Sequence, residues 1–358
     1  MDSFSSKWQA FFVKKLLNWN HSSNFRSMPW KFEKDPYKIW LSEIMLQQTR
    51  VEQGLTYYLK FIEAFPTVTD LANAPEKKVF KMWEGLGYYS RCKNLLTTAK
   101  TISNESNGVF PNTHAEILSL TGVGPYTAAA IASFAFDLPY AVVDGNVMRV
   151  LSRFFGIEIP IDTTQGKKQI AHLAQELLPT HQSASFNQAI MDFGATICKP
   201  KNPICLDCVM QKNCIAYNQQ LVDVLPLKSK KLIKKQRWFF YITAKYKNQY
   251  YVRNRTAKDI WQNLHEFILI EKSSRSSADT IINSAEWKKV IDVPFELLEV
   301  SNPINQQLTH QTITGTFITI QLKAPLQTNM YAPITKKQIQ QLAFPKIISS
   351  NLNWLINL

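Results

Sequence analysis

The 358-residue sequence lacks several features that would place it in common protein classes. It has no apolar run of the roughly 18 residues that a membrane-spanning helix needs, so a membrane protein is not expected. It has no repeat of solenoid length and no low-complexity segment. Acidic residues are few: 27 Asp and Glu stand against 41 Lys and Arg, giving a net charge of +14. That excess suits an anionic partner, either a nucleic acid or a membrane surface.

Cysteine is scarce and unevenly placed. Only five cysteines occur, and four of them lie within 17 residues: Cys198, Cys205, Cys208 and Cys214. A disulfide framework is typical of short secreted chains, and this chain is long. The first twenty residues have apolar side chains at helical spacing interrupted by charges, unlike a signal peptide. We therefore expect a cytoplasmic protein whose cysteine cluster binds a metal.

The spacing of the clustered cysteines leaves two kinds of metal site open. Six, two and five residues separate them. Structural zinc sites usually take two short cysteine pairs, and only one short pair is present here. A cubane iron–sulfur cluster with four Cys ligands fits the loop lengths at least as well. The first loop carries Lys199 and Lys201, which either bind a phosphate backbone or simply face solvent.

The pattern of apolar residues divides the chain into two parts. Residues 1–218 have apolar spacings of three and four, with Pro and Gly at the joints, and predict a helical domain. Residues 219–236 are basic and predict a linker. Residues 237–358 predict an α+β domain, because segment 237–255 has the pattern of two strands around a Lys-Asn-Gln turn. In the same domain, 312–322 predicts a half-buried strand and 281–291 predicts a helix.

Residues 120–136 have the pattern of a helical hairpin. The sequence predicts a helix that ends at Gly122, a Gly-Val-Gly turn, and a second helix that begins at Pro125. Gly122 and Gly124 permit close backbone approach, and the new helix offers free N–H groups to a phosphate. The segment is either a DNA anchor of the helix-hairpin-helix type or a plain helix connection.

Two carboxylates stand in unusual surroundings. Asp144 follows a short apolar run and precedes a helical pattern, so it is either a helix N-cap or a catalytic group at a helix start. Glu43 lies among Trp40, Ile44 and Leu46. If those neighbours bury it, its pKa rises and it can act as a general acid; otherwise it faces solvent from its helix.

The order of several motifs resembles the adenine DNA glycosylases of the MutY family, within the superfamily that includes endonuclease III. The motifs are PW…DPY.IW.SEIMLQQTRVE, WEGLGYYSR, the hairpin with VVDGNV, FNQA.MDFGA and the four-cysteine loop, over about residues 25–215. The resemblance implies a multidomain protein. It would have an all-α helix-hairpin-helix glycosylase domain (1–218), a basic linker (219–236) and an α+β Nudix-like lesion-recognition domain (237–358). Within the first domain, 29–135 would form the helix-hairpin-helix subdomain, and 1–28 with 136–218 the iron–sulfur subdomain.

The resemblance also implies a substrate and cofactor. The chain would act as a monomer on double-stranded DNA and remove adenine paired with 8-oxoguanine or guanine, with one [4Fe–4S] cluster held by the four clustered cysteines. Glu43 would protonate adenine N7 and handle the incoming water, and Asp144 would stabilise the oxocarbenium-like sugar. Tyr126 and Asn146 match positions beside the sugar and the carboxylates.

Further site residues follow from the same resemblance. The target base must leave the duplex stack, because its glycosidic bond is unreachable inside it. The positions that match the family's pocket for the extruded adenine are Arg26, Trp30, Leu46, Val51 and Gln188. Gln48 and Tyr88 match side chains that wedge into the stack near the lesion.

Position 126 separates hydrolysis from strand cleavage. Relatives with lyase activity carry a lysine in this part of the hairpin helix, and a lysine amine can form a Schiff base with the sugar. This chain has Tyr126, and no Lys lies between Lys100 and Lys167. We therefore expect a monofunctional glycosylase. The alternatives are an endonuclease III-like glycosylase/lyase and a non-catalytic iron–sulfur protein that binds DNA.

The C-terminal domain is expected to read the lesion without nucleotide hydrolysis. A Nudix pyrophosphatase needs a run of glutamates for magnesium, and the stretch after Gln262 has only Glu266 and Glu271. The family reads 8-oxoguanine through an aromatic–Ser–His loop. The matching residues here are Leu308, Thr309 and His310, so a hydroxyl and an imidazole are kept and the aromatic ring is replaced.

Overall fold

The computed structural model describes residues 5–229 and 234–357. Four residues of the predicted linker, 230–233, lie outside the described residues. Within 5–229 the helices are α1 (Ser6–Ser22), α2 (Pro36–Leu46), α3 (Val51–Ala64), α4 (Val68–Asn73), α5 (Glu76–Trp83), α6 (Tyr89–Glu105), α7 (His114–Ser119), α8 (Pro125–Phe136), α9 (Gly145–Phe155), α10 (Thr164–Leu177), α11 (Ser183–Thr196) and α12 (Ile215–Asn218). Among the described helices, none is both long and apolar enough to cross a membrane.

Contacts divide the chain into two compact units. The described parts of Met1–Tyr58, Pro66–Ala72 and Thr97–Lys231 form the first unit, and those of Leu59–Phe65, Asn73–Leu96 and Leu232–Leu358 form the second. The units do not follow the domains predicted from the sequence, because residues 59–65 and 73–96 cluster with the C-terminal residues.

Specific hydrogen bonds explain why α5 belongs to the second unit. The Lys81 ammonium donates to the carbonyl of Leu342 over 2.9 Å. The carboxylate of Glu84, just past the helix, accepts from the backbone N–H of Phe344 over 2.8 Å. Sequence periodicity does not report such long-range bonds. It therefore predicted that this segment belongs to the same domain as the residues beside it in the chain.

The core of the first unit lies among α1, α9, α10 and α11. The amphipathic pattern predicted at the N-terminus is confirmed, since α1 buries Phe12, Leu16 and Trp19 against this core. Phe12 meets Phe154 and Phe155 of α9 with ring centroids 4.9 and 5.5 Å apart. This packing fixes α9, whose first turn carries the predicted Asp144 and Asn146.

The hairpin is formed by α7 and α8. As predicted, α8 begins at Pro125, with Gly124 as its N-cap residue. The first helix ends at Ser119, three residues before the predicted Gly122, because Leu120 takes an extended backbone conformation. Gly122 has a φ of +79°, a left-handed conformation that glycine adopts without strain. The turn therefore needs a glycine at position 122.

Within residues 234–357, seven strands form one mixed sheet. They are β1 (Lys235–Tyr246), β2 (Gln249–Asn254), β3 (His265–Lys272), β4 (Phe295–Val300), β5 (Ile304–Gln307), β6 (Gln311–Leu322) and β7 (Ala332–Thr335). The order is β4-β6-β1-β3-β2-β7, with β5 also paired to β6. The pair β1–β6 is parallel, and the other neighbouring strands of the sheet pair antiparallel.

The strands confirm one prediction for this part of the chain and correct another. The predicted hairpin of residues 237–255 is present, since β1 and β2 pair antiparallel across Lys247. The prediction that 312–322 is half-buried is wrong. Residues 315–320 of β6 are buried in succession, because Ile318 packs in a cluster with Trp287 while Phe317 stacks on Tyr241.

The helix predicted at 281–291 is two short helices. The remaining helices of the described C-terminal part are α13 (Ala278–Ile282), α14 (Ala285–Val290), α15 (Lys336–Ile339), α16 (Lys346–Ser349) and α17 (Leu352–Leu355). Asn283 ends α13, and the hydroxyl of Ser284 caps α14 by accepting from the backbone N–H of Trp287 over 3.2 Å. Serine favours such capping over the helix interior, which explains the interruption.

Candidate active site

A cavity of about 560 Å³ in the first unit gathers many of the predicted site residues. Its walls come from segment 24–35, α2, the start of α8, the start of α9 and α11. The predicted residues that line it are Glu43, Asp144, Tyr126, Asn146, Arg26, Trp30, Leu46, Val51 and Gln188. Residues that are distant in sequence therefore meet around one space.

Glu43 is buried in the wall of this cavity. It belongs to α2, which starts at Pro36 and is capped by Asp35, whose carboxylate accepts from the backbone N–H of Tyr37 over 2.9 Å. Only 7% of Glu43 is exposed. Burial raises its pKa to about 7, the nearby Asp144 adds to the rise, and a hydrogen bond from Tyr126 opposes it. Glu43 can therefore hold a proton near neutral pH.

Asp144 caps a helix and also lines the cavity. It is the N-cap residue of α9, and its carboxylate accepts from the backbone N–H of Val147 over 2.8 Å. It also lines the cavity and accepts from the Nδ2 amide of Asn146 over 2.7 Å. Burial raises its pKa, while these two hydrogen bonds and the Arg149 guanidinium oppose the rise. The hydrogen bonds favour the charged form of Asp144.

Arg149 links the cavity to the cysteine segment. Its guanidinium donates to the side-chain oxygen of Asn146 over 2.7 Å and, through Nε, to the carbonyl of Cys198 over 2.7 Å. The same group donates to the carbonyl of Gly194 in α11 over 2.7 Å. One partly buried cation thus holds the amide that orients Asp144 and the backbone of the first clustered cysteine.

The four clustered cysteines converge after α11. Burial raises the pKa of Cys208 to about 12, and the neighbouring Cys198, Cys214 and Cys205 add to the rise, so these sulfurs lie close together. In the described part of the chain, no three His, Cys, Asp or Glu side chains are arranged to hold one metal ion. In a four-iron cubane each thiolate binds a different iron, so the sulfurs lie further apart than around one zinc. The donor set fits a cluster with four cysteine ligands.

The Arg153 guanidinium forms hydrogen bonds with this cysteine segment. It donates to the carbonyl of Lys199 over 2.7 Å and lies 3.5 Å from the sulfur of Cys198. The predicted phosphate contacts lie on the same segment, with Lys199 partly exposed and Lys201 exposed. The hairpin glycines are also at the surface, Gly122 exposed and Gly124 partly so.

The remaining predicted residues lie outside the first cavity. Gln48 is exposed just after α2, with a φ of +56°. A second cavity, of about 400 Å³ and within the second unit, is lined by Tyr88, Leu308, Thr309 and His310. The hydroxyl of Tyr88 hydrogen-bonds the hydroxyl of Thr309. The structure therefore brings the predicted lesion-reading residues together with one of the two predicted wedges.

Sequence reasoning missed several residues of the first cavity. Met28, Phe32, Lys34 and His181 line it without having been predicted. Met28 and Phe32 alternate with Arg26 and Trp30 along segment 24–35, and that alternation was the signal that could have found them. His181 has no comparable signal, because it lies in the turn just before α11, where no periodic pattern or motif marks it.

Comparisons with known proteins identify relatives over most of the chain. The model of the HhH-GPD superfamily base excision DNA repair protein family matches residues 41–180. The adenine DNA glycosylase of Buchnera aphidicola subsp. Schizaphis graminum is 39% identical over 280 residues, 78% of this chain and 78% of that protein. The adenine DNA glycosylase of Homo sapiens is 41% identical over 215 residues, 57% of this chain and 39% of that protein.

Solved structures show the same helical architecture. The structure of a thermostable thymine-DNA glycosylase matches with a TM-score of 0.55 and 33% identity, covering 60% of this chain and 98% of that one. A non-covalent endonuclease III–DNA complex matches with a TM-score of 0.53 at 18% identity, over 61% of this chain and 99% of that one, which supports the fold alone. With a helical HhH-GPD fold, a C-terminal mixed sheet and curated relatives across most of its length, the chain belongs to the adenine DNA glycosylase family of base excision repair enzymes.

Proposed function

We propose that this DNA glycosylase hydrolyses the N-glycosidic bond of adenine paired with 8-oxoguanine or guanine, and that it leaves an abasic site. The observation that carries the proposal is a pair of carboxylates in one cavity with different environments. Burial raises the pKa of both groups, that of Glu43 to about 7, while hydrogen bonds from Val147 and Asn146 oppose the rise at Asp144 and favour its charged form. Two carboxyl groups in such different environments can take different roles, one as the general acid and the other as the stabiliser of positive charge.

Glu43 supplies the proton in this proposal. A group with a pKa near 7 is well matched to proton transfer at neutral pH. Protonation of adenine at N7 makes the base a better leaving group, so the glycosidic bond breaks with positive charge developing on the sugar. The electron pair of that bond leaves with the base. Tyr126 donates to Glu43 and orients its carboxyl group.

Asp144 stabilises the developing sugar cation. Its carboxylate is fixed by Asn146 and by the N-terminus of α9, so little reorganisation is needed as charge appears. Water then adds to the sugar carbon, and Glu43, now deprotonated, accepts a proton from it. The products are free adenine and an abasic sugar in an intact strand.

The position of Tyr126 favours hydrolysis over strand cleavage. No lysine amine is available at that point of the cavity wall for attack on the sugar. Lys34 does line the cavity, but its ammonium donates to the carbonyl of Phe134 over 2.9 Å. Borohydride trapping tests this point: a monofunctional enzyme gives no protein–DNA adduct, and an adduct would favour a glycosylase/lyase instead.

We also infer that the four clustered cysteines hold one [4Fe–4S] cluster. Such a cluster supplies a rigid, thiolate-bound centre that fixes the loop around it. The residues of the loop, including Lys199 and Lys201, then face the DNA backbone without an ordering penalty at binding. The catalytic steps assigned to Glu43 and Asp144 do not pass through this centre.

The C-terminal sheet is proposed to be a Nudix-like domain that reads the oxidised base. Thr309 and His310 offer hydrogen-bonding groups beside Tyr88 in the second cavity. Nucleotide hydrolysis is not expected, because both glutamates are ion-paired. Glu266 is fully buried and pairs with Arg253 over 2.9 Å, and Glu271 pairs with Arg237 over 2.6 Å.

A panel of duplexes tests the proposed reaction. Adenine is placed opposite 8-oxoguanine, guanine, cytosine or thymine, and product strands are analysed before and after alkali. We expect excision opposite 8-oxoguanine and guanine, with strand breaks only after alkali. Asp144→Asn and Glu43→Gln should abolish most excision, while Glu176→Gln, a surface carboxylate change on α10, should not. Full activity of Asp144→Asn would remove the role assigned to that carboxylate.

A further inference from the structure

Segment 24–35 forms one wall of the first cavity and is held firmly in place. Asp192 of α11 is fully buried. Its carboxylate accepts from the Asn24 amide over 2.9 Å and from the Arg26 guanidinium over 2.7 Å, and it pairs with the Lys31 ammonium at 3.1 Å. The Lys31 ammonium also donates to the carbonyl of Arg26 over 2.9 Å. Both ends of the stretch 24–31 are thus tied to one buried charge.

Phe32 follows this anchored stretch in a conformation that is rare for its residue type. Its φ is +71°, in the left-handed region that bulky side chains seldom adopt. Such strain persists only where the surrounding structure determines the backbone, and it is concentrated at functional sites. The Lys31 anchor immediately before it meets that requirement. The Asp192 network therefore anchors the residue immediately before position 32.

At this strained backbone position, the aromatic ring of Phe32 is exposed to solvent. Phe32 is 83% exposed and lines the cavity that contains Glu43 and Asp144. The Lys31 ammonium lies 5.5 Å from the centre of its ring. Trp30, the other aromatic residue of segment 24–35 that lines the cavity, packs edge-on against Tyr58 with centroids 5.3 Å apart. The Phe32 ring is thus the aromatic face that this wall leaves open.

We propose that Phe32 is a positioning residue that stacks on the purine base as that base leaves the duplex and enters the cavity. This role rests on the proposed function, because it assumes an extruded base. Base–aromatic stacking tolerates any base but gains with overlap, so a purine is favoured over a pyrimidine. The anchor from Asp192 holds the residues just before Phe32 in place before DNA arrives, which lowers the entropy lost on binding.

The test uses a fluorescent purine and a matched pair of aromatic variants. 2-Aminopurine replaces the target adenine opposite 8-oxoguanine, in full-length protein that carries Glu43→Gln to prevent turnover. Stacking on an aromatic ring quenches this base. Phe32→Ala should give brighter bound DNA and weaken binding by about tenfold, the effect of losing one stacked contact. Phe32→Tyr should restore both. Phe25→Ala is the control, because Phe25 is 90% exposed on the same segment but does not line the cavity.

Kinetics in protein that keeps the native Glu43, and therefore turns over, separate a positioning role from a structural one. Phe32→Ala should raise KM with little change in the single-turnover rate at saturating DNA, and its melting temperature should match the wild type. Equal fluorescence and equal affinity in Phe32→Ala and wild type would overturn the proposal, as would an equal change in Phe25→Ala. The binding signal needs no excision. Phe32-dependent quenching in a protein that leaves adenine intact would therefore support the stacking role while overturning the proposed reaction.

Discussion

At the scale of single residues, identical carboxyl groups acquire different properties from their surroundings. Glu43 is buried in an apolar helix and has a pKa of about 7, whereas Asp144 sits at a helix start among hydrogen-bond donors. In the sequence, the neighbours Trp40, Ile44 and Leu46 indicated that Glu43 could have apolar surroundings. It left open whether Asp144 is a helix N-cap or a catalytic group at a helix start, and the structure shows that Asp144 caps α9 and lines the cavity.

The pKa of Glu43 predicts a pH dependence. Its raised pKa means that the protonated acid is present below about pH 7 and is lost as the pH rises through that value. The single-turnover rate should therefore fall on the alkaline side of about pH 7. Tyr126→Phe removes a hydrogen bond that favours the charged carboxylate, so the falling limb should move to higher pH. A limb that stays in place or moves to lower pH would argue against Glu43 as the acid.

The buried anchor at Asp192 predicts a large loss of stability. Asp192→Asn removes the charge that balances Lys31, whose side chain is only 6% exposed, and Arg26. Breaking a buried ion pair by removing one partner typically costs about 3–5 kcal/mol. Thermal or urea unfolding would measure the loss. Lys323→Ala breaks an exposed pair with Glu296 and should leave the unfolding midpoint unchanged. Equal midpoints for the two variants would contradict the anchor.

At the scale of secondary-structure elements, α9 and α11 approach each other unusually closely. A Cβ atom at Gly194 of α11 would lie 2.6 Å from the Cβ of Asn146 and 3.1 Å from its backbone. Asn146 in turn orients Asp144, so the space left by this glycine affects the cavity. The sequence placed Gly194 in a family motif but gave no physical reason for a glycine there.

Gly194→Ala should therefore reduce both stability and activity. The backbone of α9 cannot move away without shifting Asn146, and overpacking of this kind costs about 1–3 kcal/mol. The melting temperature and the single-turnover excision rate would report the two effects. Gly145→Ala is a control for stability, since no heavy atom lies within 4 Å of its added Cβ. A normal rate in Gly194→Ala would show that α9 tolerates displacement.

Local patterns predicted the existence of elements better than their ends or burial. Pro125 correctly marked the start of α8, because proline suits the first helical position. The end of α7 was misplaced, since Leu120 gives no local signal for an extended backbone. Burial of β6 was underestimated because its second face is covered by residues such as Trp354, which lie far away in sequence. Contacts between residues that are far apart in sequence do not appear in the local spacing of apolar residues.

At the scale of the whole chain, the family motifs and the spacing of residue types predicted different parts of the site. Motif resemblance named nine residues that line the first cavity, from Arg26 to Gln188, which spacing alone could not bring together. Neither approach assigned a role to Phe32 or to its anchor Asp192, although Asp192 lies in the motif FNQA.MDFGA, because these roles depend on a backbone conformation and on burial. The same holds for the bonds of Lys81 and Glu84 with residues near 343, which assign α5 to the second unit.

The net charge of +14 predicts how DNA binding responds to salt. Each phosphate contact that is lost lowers the slope of log K against log salt by about 0.9. A double variant, Lys199→Ala with Lys201→Ala, should therefore reduce that slope by about 2 and weaken binding equally for lesion and undamaged duplexes. Equal weakening is expected because backbone contacts carry no sequence information.

The control has the same change of charge at a different place. Lys167→Ala with Lys168→Ala removes two exposed lysines of α10 and should leave the slope nearly unchanged. Filter binding or fluorescence anisotropy across a salt series would measure both slopes. If the two double variants behave alike, the effect belongs to net charge and the cysteine-bound loop holds no phosphate. If only the loop variant loses slope, the segment fixed by Arg153 and the four clustered cysteines is a local DNA contact, distinct from the general attraction of a basic protein for DNA.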